Sequence, residues 1–232
     1  TTSANNTTIT LSNTSNAFAG AVTLSTTGST AHAIIDNGTT TLDIAASTVG
    51  GDLTLTSGAT AGITDSGNVT VAGNLVATTD ANSGVINLGT LAVDGTMALV
   101  THNNGAATVV NDAAIEFAAS TVGGALSATA TTGNITQSGA LDIEGATTLV
   151  TTAQGATIVL GTTTNAFTSA VTITTNDNDS PTDGTYAAHV TIDGGTTALV
   201  IAASTIDGNL TLTSGHASGI TDSGTVTVGG NL

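Results

Sequence analysis

The chain has no lysine and no arginine beside 16 Asp and Glu, a formal charge of −16 at pH 7. No carboxylate can therefore find a Lys or Arg partner, and nothing is available to neutralise a nucleic-acid backbone, which excludes nucleic acid as a partner. The same sign disfavours attraction to an anionic membrane surface, while saline or divalent cations would relieve the self-repulsion. A chain without Lys or Arg also offers no trypsin-type cleavage site, as suits an exposed surface protein. Cysteine is absent, so neither a disulfide framework nor a thiolate metal site is possible. No apolar run reaches the length of about 18 residues that a membrane helix needs, so no transmembrane segment is expected. There is no initiating Met and no basic leader, so any secretion signal is expected outside this segment or already removed.

Aromatic residues are nearly missing as well. They make up 2% of the chain, as Phe18, Phe117, Phe167 and Tyr186, while 39% is hydrophobic. The apolar part must be built from Ala, Val, Ile and Leu. A sandwich or α/β domain normally fills its centre with several large rings, so this composition points to narrow, repeated layers of small side chains.

What the chain does contain is repetition. Ile44–Leu75 and Ile201–Leu232 agree at 24 of 32 positions, displaced by 157 residues. Upstream, Asn16-Ala17-Phe18 recurs as Asn165-Ala166-Phe167, displaced by only 149. The second copy thus carries eight extra residues between Ile173 and Ile201, where TNDNDSPTDGTYAAH reads as an enlarged surface loop. A weaker third copy begins at Phe117 with FAASTVGG. Within each unit, short apolar segments recur about every 22 residues, the kind of period that solenoid repeats show. Residues 1–149 read as a first long unit and 150–232 as a partial second copy. Both ends fall inside the repeat rather than in capping sequence, so an excerpt of a longer array is expected.

The local patterns are short alternations such as Leu53-Thr54-Leu55-Thr56 and Val226-Thr227-Val228, bounded by Gly, Asn and Ser. These predict strands of three to five residues and almost no helix. Two all-β architectures fit. Tandem immunoglobulin-like sandwich domains match a spacing of about 80 residues but need a bulky core in each copy. The shorter period favours a right-handed parallel β-helix, a β-solenoid with rungs of about 22 residues, in which Leu53 and Leu55 point inward and Thr54 and Thr56 outward.

The run GDLTLTSGATAGITDSGNVTVAGNL resembles the repeat regions of filamentous haemagglutinin-type exoproteins and related autotransporter-like bacterial adhesins. The resemblance implies a right-handed parallel β-helix, secretion across the outer membrane, and adhesion or surface coating. The expected role is a non-catalytic structural or adhesive stalk or filament segment, extracellular and at the bacterial cell surface. Its expected partners are neighbouring repeats or further molecules joined end to end, and host or cell-surface glycans. Alternatives are a surface-layer or sheath subunit, a carbohydrate-active solenoid, and an ice-binding face built on steps such as Thr54/Thr56 and Thr211/Thr213.

Few residues invite a site. Asp177, Asp179 and Asp183 in DNDSPTDG are candidate calcium ligands, since oxygens in a flexible loop suit that ion. They lack the closing Glu of the helix-loop-helix pattern, and no other cofactor is expected. The repeated Ile63-Thr64-Asp65-Ser66-Gly67 and Ile220-Thr221-Asp222-Ser223-Gly224 contain an Asp-Ser-Gly found in some hydrolases. A nucleophile needs a base beside it, and the third copy has Gln137 in place of the Asp, so the Asp is read as bonding to its own turn backbone. His32, His102, His189 and His216 read as exposed loop residues in unrelated contexts, with no zinc site. Asp142 and Glu144 lie on one side of a strand but no aromatic accompanies them.

Overall fold

A computed structural model of the chain describes residues 1–177 and 187–232. Among the described residues there is no helix, and every strand pairing is parallel. The chain divides into two compact units, one formed by Thr1–Asp112 with Thr121–Gly124 and the other by Ala113–Ser120 with Ala125–Leu232. Each is a β-solenoid of the expected kind, and the sandwich alternative falls because sandwiches are built from antiparallel strands.

The coil of the first unit has three sides. Leu53–Ser57, Ile63–Asp65 and Val69–Val71 run along successive sides, and Leu75–Asn82 returns to stack on Leu53–Ser57. Stacked positions form columns. One runs Ile9, Ala33, Leu53, Leu75, Met97, so that successive coils repeat at nearly even spacing. Beside it run Leu11, Ile35, Leu55, Ala77 and Leu99. Leu42, Ile63, Ile86 and Ala107 stack on the second side, and Val49, Val71 and Val93 on the third.

In the second unit the corresponding column runs Ile115, Ile135, Ile158, Val190, Leu210. Its one long step, from Ile158 to Val190, holds the enlarged loop. The counterpart of that step in the first unit, Ile9 to Ala33, is shorter by the eight extra residues, so the insertion is accommodated within one coil and leaves the stacking register intact.

The core is a stack of inward Leu, Ile, Val and Ala. Leu53, Leu55, Leu75 and Ile63 have no exposed surface, whereas Thr54 and Thr56 are only half-buried. Burying each such side chain contributes about 1.5–3 kcal/mol, and coil-to-coil N–H···O bonds satisfy the backbone polar groups that accompany it. The aromatic rings are not spread through the layers: Phe117 and Phe167 are fully buried in the second unit.

Strand length departs from expectation at the corners. Leu75–Asn82, Ile86–Val93 and Thr147–Gln154 are eight-residue strands. Along Ile86–Val93 the alternation breaks at Gly89-Thr90, two consecutive exposed residues. The strand turns that corner without losing extended geometry, so one long strand serves two sides.

Candidate functional site

The residues that recur between copies converge on the corners of the solenoid, where side chains bond from one coil to the next. The serine of Ala-Ala-Ser-Thr is one such device. Ser47 Oγ donates to the Ala45 carbonyl (2.7 Å) and accepts the Leu24 N–H (2.9 Å), a residue of the preceding coil. Ser204 does the same with the Ala202 carbonyl (2.9 Å) and the Ile173 N–H (2.9 Å). Ser120 Oγ, in the third copy, donates to the Ala118 carbonyl at 3.0 Å. A small hydroxyl suits the place because it fits a buried corner and both donates and accepts.

A second device is a column of side-chain acceptors just before the strands of one side. His32 Nδ1 accepts the Asp52 N–H (2.9 Å), Asp52 Oδ1 accepts the Asn74 N–H (2.7 Å), and Asn74 Oδ1 accepts the Thr96 N–H (2.9 Å). In the second unit His189 Nδ1 accepts the Asn209 N–H (2.9 Å), and Asn209 Oδ1 the Asn231 N–H (2.7 Å). His32 and His189 are therefore counterparts 157 residues apart, in AHAIID and AHVTID, and not residues of unrelated context. Each ring offers Nδ1 as the acceptor of a backbone N–H, which is a structural use.

Buried asparagines complete the joints. Asn37 is fully buried; its Oδ1 accepts the Phe18 N–H (2.6 Å) and its Nδ2 donates to the Phe18 carbonyl (3.1 Å). Asn111 pairs in the same way with Val93, at 2.8 and 3.0 Å. In both cases one carboxamide offers an acceptor and a donor to the two backbone groups of a single residue, as a peptide unit would. Asn165 accepts the Leu141 N–H (2.9 Å) and exchanges two bonds with the Gln137 carboxamide, at 2.8 and 2.9 Å.

Asp65 does not bond to its own turn. Its Oδ1 accepts the Gly89 N–H (2.9 Å), and its Oδ2 accepts both the N–H and the hydroxyl of Thr90 (2.7 Å each), all from the following coil. Gln137, at the equivalent place, does reach its own turn, donating to the Gly139 carbonyl at 2.6 Å, and also reaches Asn165. Asp65 thus ties its coil to the next through Gly89 and Thr90.

Of the candidate calcium ligands, Asp179 and Asp183 lie outside the described residues. Asp177 is buried; its Oδ2 accepts the Ala187 N–H (2.9 Å) and its own N–H donates to Asp207 Oδ2 (2.8 Å). Among the described residues no group of three or more His, Cys, Asp or Glu could hold a metal ion. Asp142 and Glu144 are exposed, and buried Phe117 and Phe167 offer no ring to a sugar. The outward column through Thr54 reads Thr10, Ile34, Thr54, Val76, Ala98, so the threonine ladder of an ice-binding face is interrupted. No helix among the described residues is long and apolar enough to cross a membrane.

Comparison with known families agrees with this repeat architecture. The family model described as repeats of unknown function (DUF5649) matches residues 104–174 and 187–232, half of the chain, on either side of the enlarged loop. The chain belongs to this family. No curated protein and no solved structure matches it. The DUF5649 match spans the third-copy Ser120 and Gln137 and the second-copy His189, Ser204 and Asp222, so the corner residues lie within the family's own repeat.

Proposed function

We propose that this chain is a non-catalytic structural and adhesive segment of an extracellular surface protein, a β-solenoid stalk whose work is mechanical reach and presentation. The observation that carries this reading is the use to which the repeated residues are put. Ser47 and Ser204, His32 and His189, Asp52 and Asn209 all spend their polar atoms on the adjoining coil. A repeat whose recurring polar groups serve stacking is selected for extension, since each added coil finds its acceptors in place. The absence of Lys and Arg, with outward Thr, Asn and Asp, gives a hydrated anionic exterior suited to a surface exposed to solvent. The likeness to haemagglutinin-type repeats favours adhesion, with host or cell-surface glycans as the ligands of that exterior.

The test is to lengthen the chain by whole 157-residue repeats and image it by electron microscopy, then measure attachment of coated beads to cells and immobilised glycans. Seven coils per repeat at strand spacing add about 34 Å. A constant increment of that size at constant width, together with glycan-inhibitable attachment, is expected. Particles that widen or bead instead of lengthening, or beads that attach to nothing, overturn the reading.

A further inference from the structure

We propose that one side of the second unit, the outward face of Leu126–Ala130, Thr147–Gln154 and Val171–Asn176, is a binding surface for ice, held by rows of threonine hydroxyls and methyls. The inference goes beyond the stalk reading and does not rest on it.

The three strands lie on successive coils and pair in parallel. No register shift interrupts Leu126–Ala130 on Thr147–Thr151, or Thr147–Val150 on Val171–Thr174. Period-two alternation turns Leu126, Leu149 and Ile173 into the core, where they are fully buried. The residues between them face outward in two columns. One reads Ser127, Thr148, Thr172, and the other reads Thr129, Val150, Thr174 and continues to Thr205 on the next coil. The ladder that breaks at Ile34 and Val76 in the first unit is thus nearly complete on this side, where Val150 keeps the β-branched methyl of a threonine.

Two properties set this face apart from the other sides of the unit. Its three strands carry no carboxylate, although the chain holds 16. The outward column of the neighbouring side reads Glu116, Thr136, Val159, Thr191, and the remaining side sets Asp142 beside Ala166. The hydroxyls of the face are also unspent. Threonines at the corners bond to protein: Thr151 Oγ1 donates to the Ala156 carbonyl (3.3 Å) and Thr152 Oγ1 to the Thr131 carbonyl (2.9 Å), while Thr175 Oγ1 accepts the Asp207 N–H (3.0 Å). Among the described residues, Ser127, Thr129, Thr148, Thr172 and Thr174 direct no side-chain hydrogen bond to protein.

An uncharged, regular row of hydroxyls and methyls suits an uncharged, regular lattice. Outward positions repeat every second residue along a strand, about 6.7 Å, and once per coil, about 4.8 Å. Both lie close to the spacings of water oxygens on a prism face of ice. Branching at Cβ restricts χ1 of threonine and valine, so hydroxyl and methyl are placed before contact and little entropy is lost on binding. The hydroxyl donates one bond to the lattice and accepts from it, while the methyls order the water held between the columns. A carboxylate would instead impose hydration of its own geometry, and these strands hold none.

Uptake into ice tests the face. An ice hemisphere is grown slowly from a solution of the chain, and the protein frozen into it is compared with that left in the liquid. Uptake at least tenfold above that of serum albumin is expected. Thr172→Tyr sets a ring within the face and should cut uptake at least fivefold. Thr191→Tyr, outward on the neighbouring side, should stay within twofold of the unaltered chain, and circular dichroism checks that both variants fold. Thr148→Ser with Thr172→Ser removes two methyls without added bulk and should cut uptake at least threefold. Uptake no greater than that of albumin, equal losses in T172Y and T191Y, or undiminished uptake in the serine pair overturns the proposal. A chain excluded from ice that still lengthens by a constant increment with each covalent repeat loses the ice face and keeps the stalk reading.

Discussion

Asp65 bonds to Thr90 one coil further on through both of the latter's donors: Oδ2 receives its N–H and its hydroxyl at 2.7 Å each. Asp222 occupies the same place in the repeat with no such partner among the described residues. Identical sequence context therefore carries different energetic weight. Asp65→Ala should lower stability by about 1–2 kcal/mol, since two backbone donors lose their acceptor at a partly exposed site, while the Thr90 hydroxyl keeps the Gly67 carbonyl. Asp222→Ala should change it by less than about 0.5 kcal/mol. Urea unfolding measures both, and amide exchange at Gly89 and Thr90 should accelerate only in the first variant. Equal effects would mean that the bond serves the local turn.

The core prediction sets two neighbours apart. Leu55 is fully buried in the column of Leu11, Ile35, Ala77 and Leu99, and Thr54 points outward. Leu55→Ala should cost about 2–5 kcal/mol through lost burial and a cavity between coils. Thr54→Ala should stay within about 0.5 kcal/mol. Denaturant midpoints compare them directly, and similar losses would contradict the inward and outward assignment.

Much of this arrangement is legible in the sequence. Period-two alternation identifies the inward Leu53 and Leu55, the near absence of rings implies thin layers, and the difference between displacements of 157 and 149 measures the loop insertion before the register of Ile158 on Val190 reveals it. The bonding of Asp65 is not legible, because its partners lie 24 and 25 residues away and the coils of that unit differ in length. Local chemistry favours the Asp's own turn, and stacking overrides it. The kinship of His32 and His189 does leave a signal, the pair AHAIID and AHVTID at the same displacement. Their use as acceptors needs the neighbouring coil in view.

Asp177 is the described residue at which calcium binding by the enlarged loop is tested. Its Oδ2 already accepts the Ala187 N–H, and its N–H is held by Asp207. The expected outcome is a thermal midpoint that agrees in EGTA and in excess calcium. A ligand present at 100 times its Kd would add about 2.7 kcal/mol, which a melting curve resolves. A rise in calcium that Asp177→Asn abolishes would instead assign the ion to this loop.

Two glycines separate strain from contact. Gly62 and Gly219 are counterparts with left-handed backbones, φ 64° and 67°. A Cβ on Gly62 would collide with the Val85 carbonyl oxygen of the next coil, whereas one on Gly219 meets nothing within 4 Å. Gly219→Ala should therefore cost only the conformational term of about 1 kcal/mol. Gly62→Ala should cost about 3 kcal/mol, because the backbone must also shift. Denaturant midpoints of the two variants compare these costs directly. Equal losses would mean that the Val85 carbonyl gives way to the new methyl.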